Sequence, residues 1–192
     1  MGTTQPIRSK SELLAFRMYY RDIKPNMRNY CLIVMGLNTA LRISDLLELK
    51  WTDVYNFEHK EFRTHFLINE QKTGKNNYVT LNSNATSALF SYFKERNPQN
   101  DEYIFSKRTC RNKPLNRSQA YRIVKAAAGK TIQDEHISCH SLRKTFGYYA
   151  WKNGTPPALL MDVYNQSSYD VTQHNLGIEQ DERDEIYLNL EL

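Results

Sequence analysis

Apolar residues recur along most of the chain at the three-to-four spacing of an amphipathic helix and switch to alternation in one region only. Ser9 and Glu12 have capping-box spacing ahead of Leu13, Leu14, Phe16, Met18 and Tyr19, which predicts a first helix. Residues near Arg28 to Ala40 predict a second helix, apolar on most sides and therefore central. Leu46, Leu47 and Leu49 predict a short third helix with Ser44 at its N-cap. Phe62, Thr64, Phe66 and Ile68 then alternate with polar or mixed positions, as do Tyr78 and Thr80 with Val79 and Leu81. Between these runs lies the polar turn Gln71-Lys72-Thr73-Gly74-Lys75, so the pattern predicts one small antiparallel sheet over roughly residues 53 to 82.

Helical spacing returns with Ala85, Ala88, Leu89, Tyr92 and Phe93, and Pro98 closes that segment. It repeats in Ala120, Ile123, Val124, Ala127 and Ala128, opened by an Asn116–Gln119 capping box and closed by Gly129. Leu142, Phe146, Tyr149 and Ala150 mark a further helix ending at Asn153-Gly154. Pro156 and Pro157 start the last one, expected to bury Leu160, Val163 and Tyr164. The fold class is mainly α with a small antiparallel β-sheet. A length of 192 residues suits one core, read as a single domain over residues 1–192 with an acidic tail from about residue 177.

Charge sharpens this picture. From Gly177 onward there are six acids and one base, a net of −5, so the rest of the chain carries +10 of the overall +5. Between Tyr103 and Gln133 lie eight bases and no acid: Lys107, Arg108, Arg111, Lys113, Arg117, Arg122, Lys125 and Lys130. Such a stretch attracts a phosphate backbone, although charge alone equally describes a solvated basic face. The longest apolar run, Cys31 to Leu37, is too short to span a bilayer, and no basic segment followed by an apolar stretch opens the chain. A cytoplasmic protein with no membrane partner is expected. Three widely spaced cysteines argue against a disulfide framework. No Gly-rich phosphate loop and no G-x-S-x-G elbow occur, which argues against nucleotide hydrolysis and serine hydrolase chemistry.

Four places carry candidate chemistry. Arg42 sits at a helix junction with Asp45 three residues on; Lys72 lies in the polar turn; and His140 and Arg143 are one helical turn apart, able to face one object. A phosphate suits that pair, since arginine binds it as a fork and histidine exchanges protons near neutral pH. The fourth is Tyr164-Asn165-Gln166-Ser167-Ser168, continuing to Asn175-Leu176-Gly177-Ile178. Each alone also fits a surface or ion-paired side chain. His136, Cys139 and His140 lack a fourth ligand at metal-site spacing, so no metal or cofactor is expected.

In this order and spacing the four segments resemble the tyrosine recombinase, or phage integrase, family, over nearly the whole chain from about Thr4. The chain looks most similar to short members that consist of the catalytic domain with no separate arm-binding or core-binding domain. The resemblance implies the tyrosine recombinase catalytic-domain fold, double-stranded DNA as partner, and a homo-oligomer on DNA joined through the C-terminal tail. It implies that Arg42 and Arg143 clamp the scissile phosphate, that His140 is general base or hydrogen-bond partner there, and that Lys72 protonates the departing deoxyribose oxygen. Asp45 would hold the helix junction. Lys107, Arg108, Arg111, Lys113, Arg117, Arg122 and Lys125 would contact DNA.

The pattern breaks at two positions. The family's second histidine falls at Gln166, and its tyrosine nucleophile falls at Asn175, immediately before Leu-Gly-Ile. A carboxamide cannot form a phosphotyrosine link. Tyr169 is six residues away, about 9 Å along a helix axis, Tyr164 is expected in the core, and Tyr187 lies in the acidic tail. The leading expectation is therefore a DNA-binding, cleavage-deficient integrase relative. The alternatives are an active recombinase using Tyr187 or Tyr169, and, outside the family, a basic helical nucleic-acid-binding structural protein.

Overall fold

The computed structural model describes residues 4–166 and Leu188. Ser9 caps the first helix, α1 (Lys10–Met18), its hydroxyl accepting from the Glu12 N–H at 3.3 Å. Only half of the expected box forms, because the Glu12 carboxylate accepts from the Gln133 N–H at 3.1 Å and ties α1 to the far end of the helix α6 (Arg117–Thr131). A π-helical turn, Tyr19–Ile23, follows. Helix α2 (Met27–Asn38), capped by Asn26, then runs through the middle of the molecule with Cys31 to Met35 all buried, as its apolar faces predict.

At the end of α2 the chain turns through Ala40, held at φ +55°. An L-residue pays about 1 kcal/mol for that left-handed conformation, and its carbonyl is thereby turned toward Arg143 of the helix Cys139–Lys152. Helix α3 (Ile43–Leu47) starts at Arg42; Ser44, expected at its N-cap, lies inside the helix. A single turn, α4 (Trp51–Val54), buries Trp51 against Tyr92 and Phe93, with ring centroids 5.5 and 5.3 Å away. Among the described residues the strands form three separate two-stranded antiparallel ladders, two of them where the alternation predicted one sheet. Strands β1 (Tyr55–Asn56) and β2 (Glu61–Phe62) make the first; β3 (His65–Asn69) and β4 (Asn76–Thr80) the second, with Phe66 opposite Val79. Thr64 breaks the run between them, its carbonyl accepting from Leu81.

Asn82 caps α5 (Ser83–Arg96), which ends at a left-handed Asn97 just before Pro98. The third ladder, β5 (Ser106–Lys107) with β6 (Cys110–Pro114), was not expected, because its exposed basic residues show no alternation of apolar side chains. The Asn116–Gln119 box opens α6 as predicted, but the helix runs through Gly129 to Thr131. Ser138 caps α7 (Cys139–Lys152), and α8 (Pro157–Val163) buries Leu160 and, just beyond its end, Tyr164; Val163 is 39% exposed and does not join the core. Among the described residues no helix is long and apolar enough to cross a membrane.

Helices α2 and α7 meet where Gly36 faces Leu142. A Cβ on Gly36 would stand 2.6 Å from Leu142 Cδ1 and 3.3 Å from its Cβ, so the close approach needs glycine there. Because Leu142 lies between His140 and Arg143, this contact sets the depth at which both are presented. Gly36→Val is predicted to lower unfolding stability by about 2 kcal/mol through overpacking, read as a fall in urea midpoint with unchanged slope; a variant as stable as the parent would disprove the close-packing account.

Candidate functional site

Arg143 is the most constrained of the candidate side chains. It is 2% exposed, and two carbonyls hold its guanidinium: Nη1 donates to Ala40 O and Nη2 donates to Tyr164 O at 2.8 Å. The guanidinium carbon lies 4.5 Å over the Tyr164 ring, and the Tyr164 hydroxyl donates back to the Arg143 carbonyl at 2.8 Å. Tyr164 is thus a buried orienting residue, with burial pushing its phenol far up and out of reach of ionisation. Burial, then the nearby Arg42 charge, lowers Arg143 to about 10, which leaves it cationic at neutral pH.

Arg42 is held by an acid that the sequence reading missed. Glu70, at 0% exposure, accepts from Arg42 Nη1, from the Thr73 hydroxyl at 2.9 Å and from Asn77 Nδ2 at 3.0 Å. Burial pushes its carboxyl up, but those three hydrogen bonds and the Arg42 charge outweigh it and hold the group below the usual glutamate value. A signal was available: Phe66, Ile68 and Glu70 share the inward parity of β3 and the residue after it, so an acid there requires a buried partner. Asp45, buried as well, accepts from the Gln71 N–H at 3.1 Å and fixes the next residue's turn against α3. Gly74, at φ +66°, lets that turn close, its N–H donating to the Glu70 carbonyl at 2.8 Å. Lys72 projects from this turn and is exposed.

These elements enclose one cleft of about 1020 Å³. Arg42, Lys72, His140 and Arg143, drawn from three separate segments, all line it, as do Arg117, Tyr121 and Arg122 of α6. Its described lining contains no carboxylate. The N-terminal ends of α6 and α7 both open into it, adding the positive end of each helix dipole to five cationic side chains. The site can therefore hold an anion with several hydrogen-bond donors at once.

The other expected residues divide. Gln166 lies two residues beyond Tyr164, outside the cleft lining, and Asn175, Tyr169, Tyr187 and the acidic tail fall outside the described residues. Of the basic stretch, Arg117 and Arg122 join the cleft; Lys125 donates to the Glu135 carbonyl at 2.7 Å and Arg111 pairs with the buried Glu102 at 3.2 Å. Lys113 is exposed on β6, and Lys107 and Arg108 line a different recess. His136 pairs with Asp134 at 2.9 Å, and among the described residues no three His, Cys, Asp or Glu side chains gather as a metal site would need.

The architecture is that of a tyrosine recombinase catalytic domain. It superposes on a crystal structure of XerA recombinase with a TM-score of 0.77 at 18% identity, covering 97% of this chain and 64% of the other. It superposes equally, at 0.77 and 20% identity, on XerH site-specific recombinase bound to its palindromic difH substrate, covering 97% of this chain and 53% of that one. The chain belongs to the phage integrase family, whose profile matches residues 11–176. It is 35% identical over 181 residues to the probable integrase/recombinase YoeC of Bacillus subtilis (strain 168), spanning 94% of this chain and 93% of YoeC. It is 30% identical over 142 residues to the type 1 fimbriae regulatory protein FimE of Escherichia coli (strain K12), spanning 70% and 67%. Against tyrosine recombinase XerA of Pyrococcus horikoshii it is 24% identical and spans 51% of that protein's length.

Replacing Glu70 by Gln is predicted to cost about 2 kcal/mol at pH 7, the scale of a lost charge-assisted hydrogen bond. Because the folded carboxyl titrates below its ordinary 4.5, the glutamate's advantage is full above that pH and vanishes as pH falls through the lower, folded value. Paired denaturant curves from pH 7 to pH 3 test this; a deficit independent of pH would contradict the ion-pair assignment.

Proposed function

We propose that this protein binds duplex DNA with a backbone phosphate seated among Arg42, Lys72, His140 and Arg143, and that it does so without forming a covalent link at position 175. The observation that carries this reading is the shared cleft: side chains spread over a hundred positions line one concavity whose described lining has no carboxylate. Arg42 and Arg143 each keep donors beyond those used in their own fold contacts, since a guanidinium offers five. They clamp the non-bridging oxygens, His140 stands at the start of α7 as base or hydrogen-bond partner, and Lys72 faces a leaving oxygen from its turn. These are the parts of a phosphoryl-transfer site. Asn175 in place of tyrosine removes the nucleophile, and Gln166 in place of histidine keeps a donor without a charge. Tyr164 does not substitute, being buried with its hydroxyl engaged.

The names of similar proteins agree with DNA as the partner: XerH is described bound to difH, and YoeC is called a probable integrase/recombinase. Exposed Lys113 and the cleft residues Arg117 and Arg122 extend the basic surface on which the duplex lies. The tail from residue 177 joins a neighbouring protomer. Its net charge of −5 complements the basic remainder, and the groove between α1, α2 and α7 offers a matching seat. That groove is lined by Leu13, Leu37, Phe146 and Ala150 beside Arg17, whose buried Nε lacks a hydrogen-bond partner among the described residues.

A DNA duplex with a nick that traps covalent intermediates tests the central reading. No protein–DNA adduct is expected from the parent chain, whereas an adduct mapped to any residue would defeat the cleavage-deficient assignment. Asn175→Tyr combined with Gln166→His is expected to restore an adduct abolished again by Arg143→Lys. Binding itself is expected to weaken about a thousandfold between about 50 and 200 mM salt if six or more phosphates are contacted. Salt-insensitive or absent duplex binding favours a structural role instead. Truncation after residue 176 is expected to leave monomer binding intact and to remove higher assemblies on DNA in sedimentation; unchanged assembly would rule out the tail.

A further inference from the structure

A second recess of about 310 Å³ lies where the start of α2, the end of α5 and the β5–β6 hairpin meet. It shares no lining residue with the large cleft. Four cations line it: Arg28, Arg96, Lys107 and Arg108, against the single carboxylate of Glu95. Two of them are drawn together by one serine. Arg28 Nη1 donates to the Ser106 carbonyl at 2.9 Å, while Arg96 Nη2 donates to the Ser106 hydroxyl at 3.2 Å.

The charge there is incompletely balanced. Arg96 has Glu102 at 3.6 Å, but Glu102 is also shared with Arg111. Arg28 has no ion pair among the described residues; its other donors meet only the neutral side chain of Asn29, at 3.2 and 3.3 Å. Burial, and the neighbouring Arg96 charge, lower Arg28 from the ordinary arginine range despite the opposing influence of Tyr92. A fold that uses neutral acceptors to bring two guanidiniums side by side, with Lys107 and Arg108 beside them, has left the neutralising anion to be supplied from outside. The first turn of α2, a helix of twelve residues, adds its positive end to the same recess.

We propose that this recess is a second phosphate-binding site, filled by a backbone phosphodiester of the same duplex that occupies the large cleft. The proposal rests on the DNA-binding reading above. Chain geometry makes the pairing of the two sites possible. Ser106 is opposite Pro114 in the β5–β6 ladder, and Arg117, which lines the cleft, is three residues past Pro114. The cross-strand step is about 5 Å and three residues of extended chain span at most about 10 Å, so the two sites lie within about 15 Å, while DNA rises about 3.4 Å per phosphate along one strand. A strand lying in the cleft therefore reaches the recess within a few nucleotides. Paired arginines suit a phosphate oxygen fork, and the recess recognises no base, so its contribution is position and affinity rather than sequence.

The test compares the parent with Arg28→Gln, which keeps a donor for Ser106, and with the hairpin pair Lys107→Ala/Arg108→Ala. Lys10→Ala/Lys130→Ala serves as a control with the same charge change outside the recess. Phosphate-ethylation interference is expected to show an interfering phosphate a few nucleotides from the central one, with that interference lost in both recess variants and kept in the control. The slope of log affinity against log salt is expected to become shallower by about 0.9 in each recess variant, since each loses the same phosphate. An interference pattern unchanged in the recess variants, with slopes no different from the control, overturns the proposal even though DNA binding stands. Calorimetric titration with pyrophosphate separates the sources. Pyrophosphate binding that disappears in Arg28→Gln, with no DNA interference at that phosphate, replaces the duplex by a soluble phosphorylated ligand. A parent chain that binds no duplex at all defeats the DNA reading itself.

Discussion

Moving the Arg143 guanidinium out of water costs several kcal/mol unless its donors are met, and much of the site is arranged around meeting them. Two carbonyls from distant parts of the chain do so, one from Ala40 at the end of α2 and one from Tyr164 after α8. The strained backbone at Ala40 and the stacked ring of Tyr164 have their physical reason here. A positive charge is fixed at the floor of a cleft by partners that do not neutralise it. Carbonyl dipoles orient the fork while leaving its full charge to act on whatever enters. Had a carboxylate filled the same role, the charge would be spent inside the protein.

Arg42 is treated differently. It is partly exposed and does share a carboxylate, that of Glu70, but this acid also binds Thr73 and Asn77 of the segment that carries Lys72. One buried anion therefore sets two of the cleft's cations, and Asp45 anchors the same turn from the α3 side. The two arginines, one oriented by dipoles and one by an ion pair, approach each other closely enough for the Arg42 charge to lower Arg143. Like charges held this near raise the free energy of the empty cleft and so favour its filling by an anion.

Much of this was legible in the residues. Periodicity located the helices because each must bury one face, and the integrase resemblance of the Arg42, Lys72, His140 and Arg143 segments pointed to the cleft that they share. What escaped notice depended on contacts distant in sequence. Glu70 looks like an exposed turn residue until its inward parity is counted. The β5–β6 hairpin carries lysines and arginines on both sides and so has no apolar rhythm. Ser44 and Gly129 have the right chemistry for helix ends, but the chain around Arg42 and the packing of α6 moved those ends by one or two residues. Val163 follows the helical spacing of Leu160 yet faces outward, because Tyr164 takes the buried place.

Among the described residues the three hairpins are not joined edge to edge. A continuous sheet would transmit any bending of one strand to the next as shear, whereas separate ribbons anchored on different helices are mechanically independent. The ribbon carrying Lys72 is braced by Asp45 and Glu70, while the one carrying Lys107 and Arg108 is braced by Arg28 and Arg96. A change in the seating of one ribbon therefore leaves the register of the other untouched, so the two sets of cations are positioned independently.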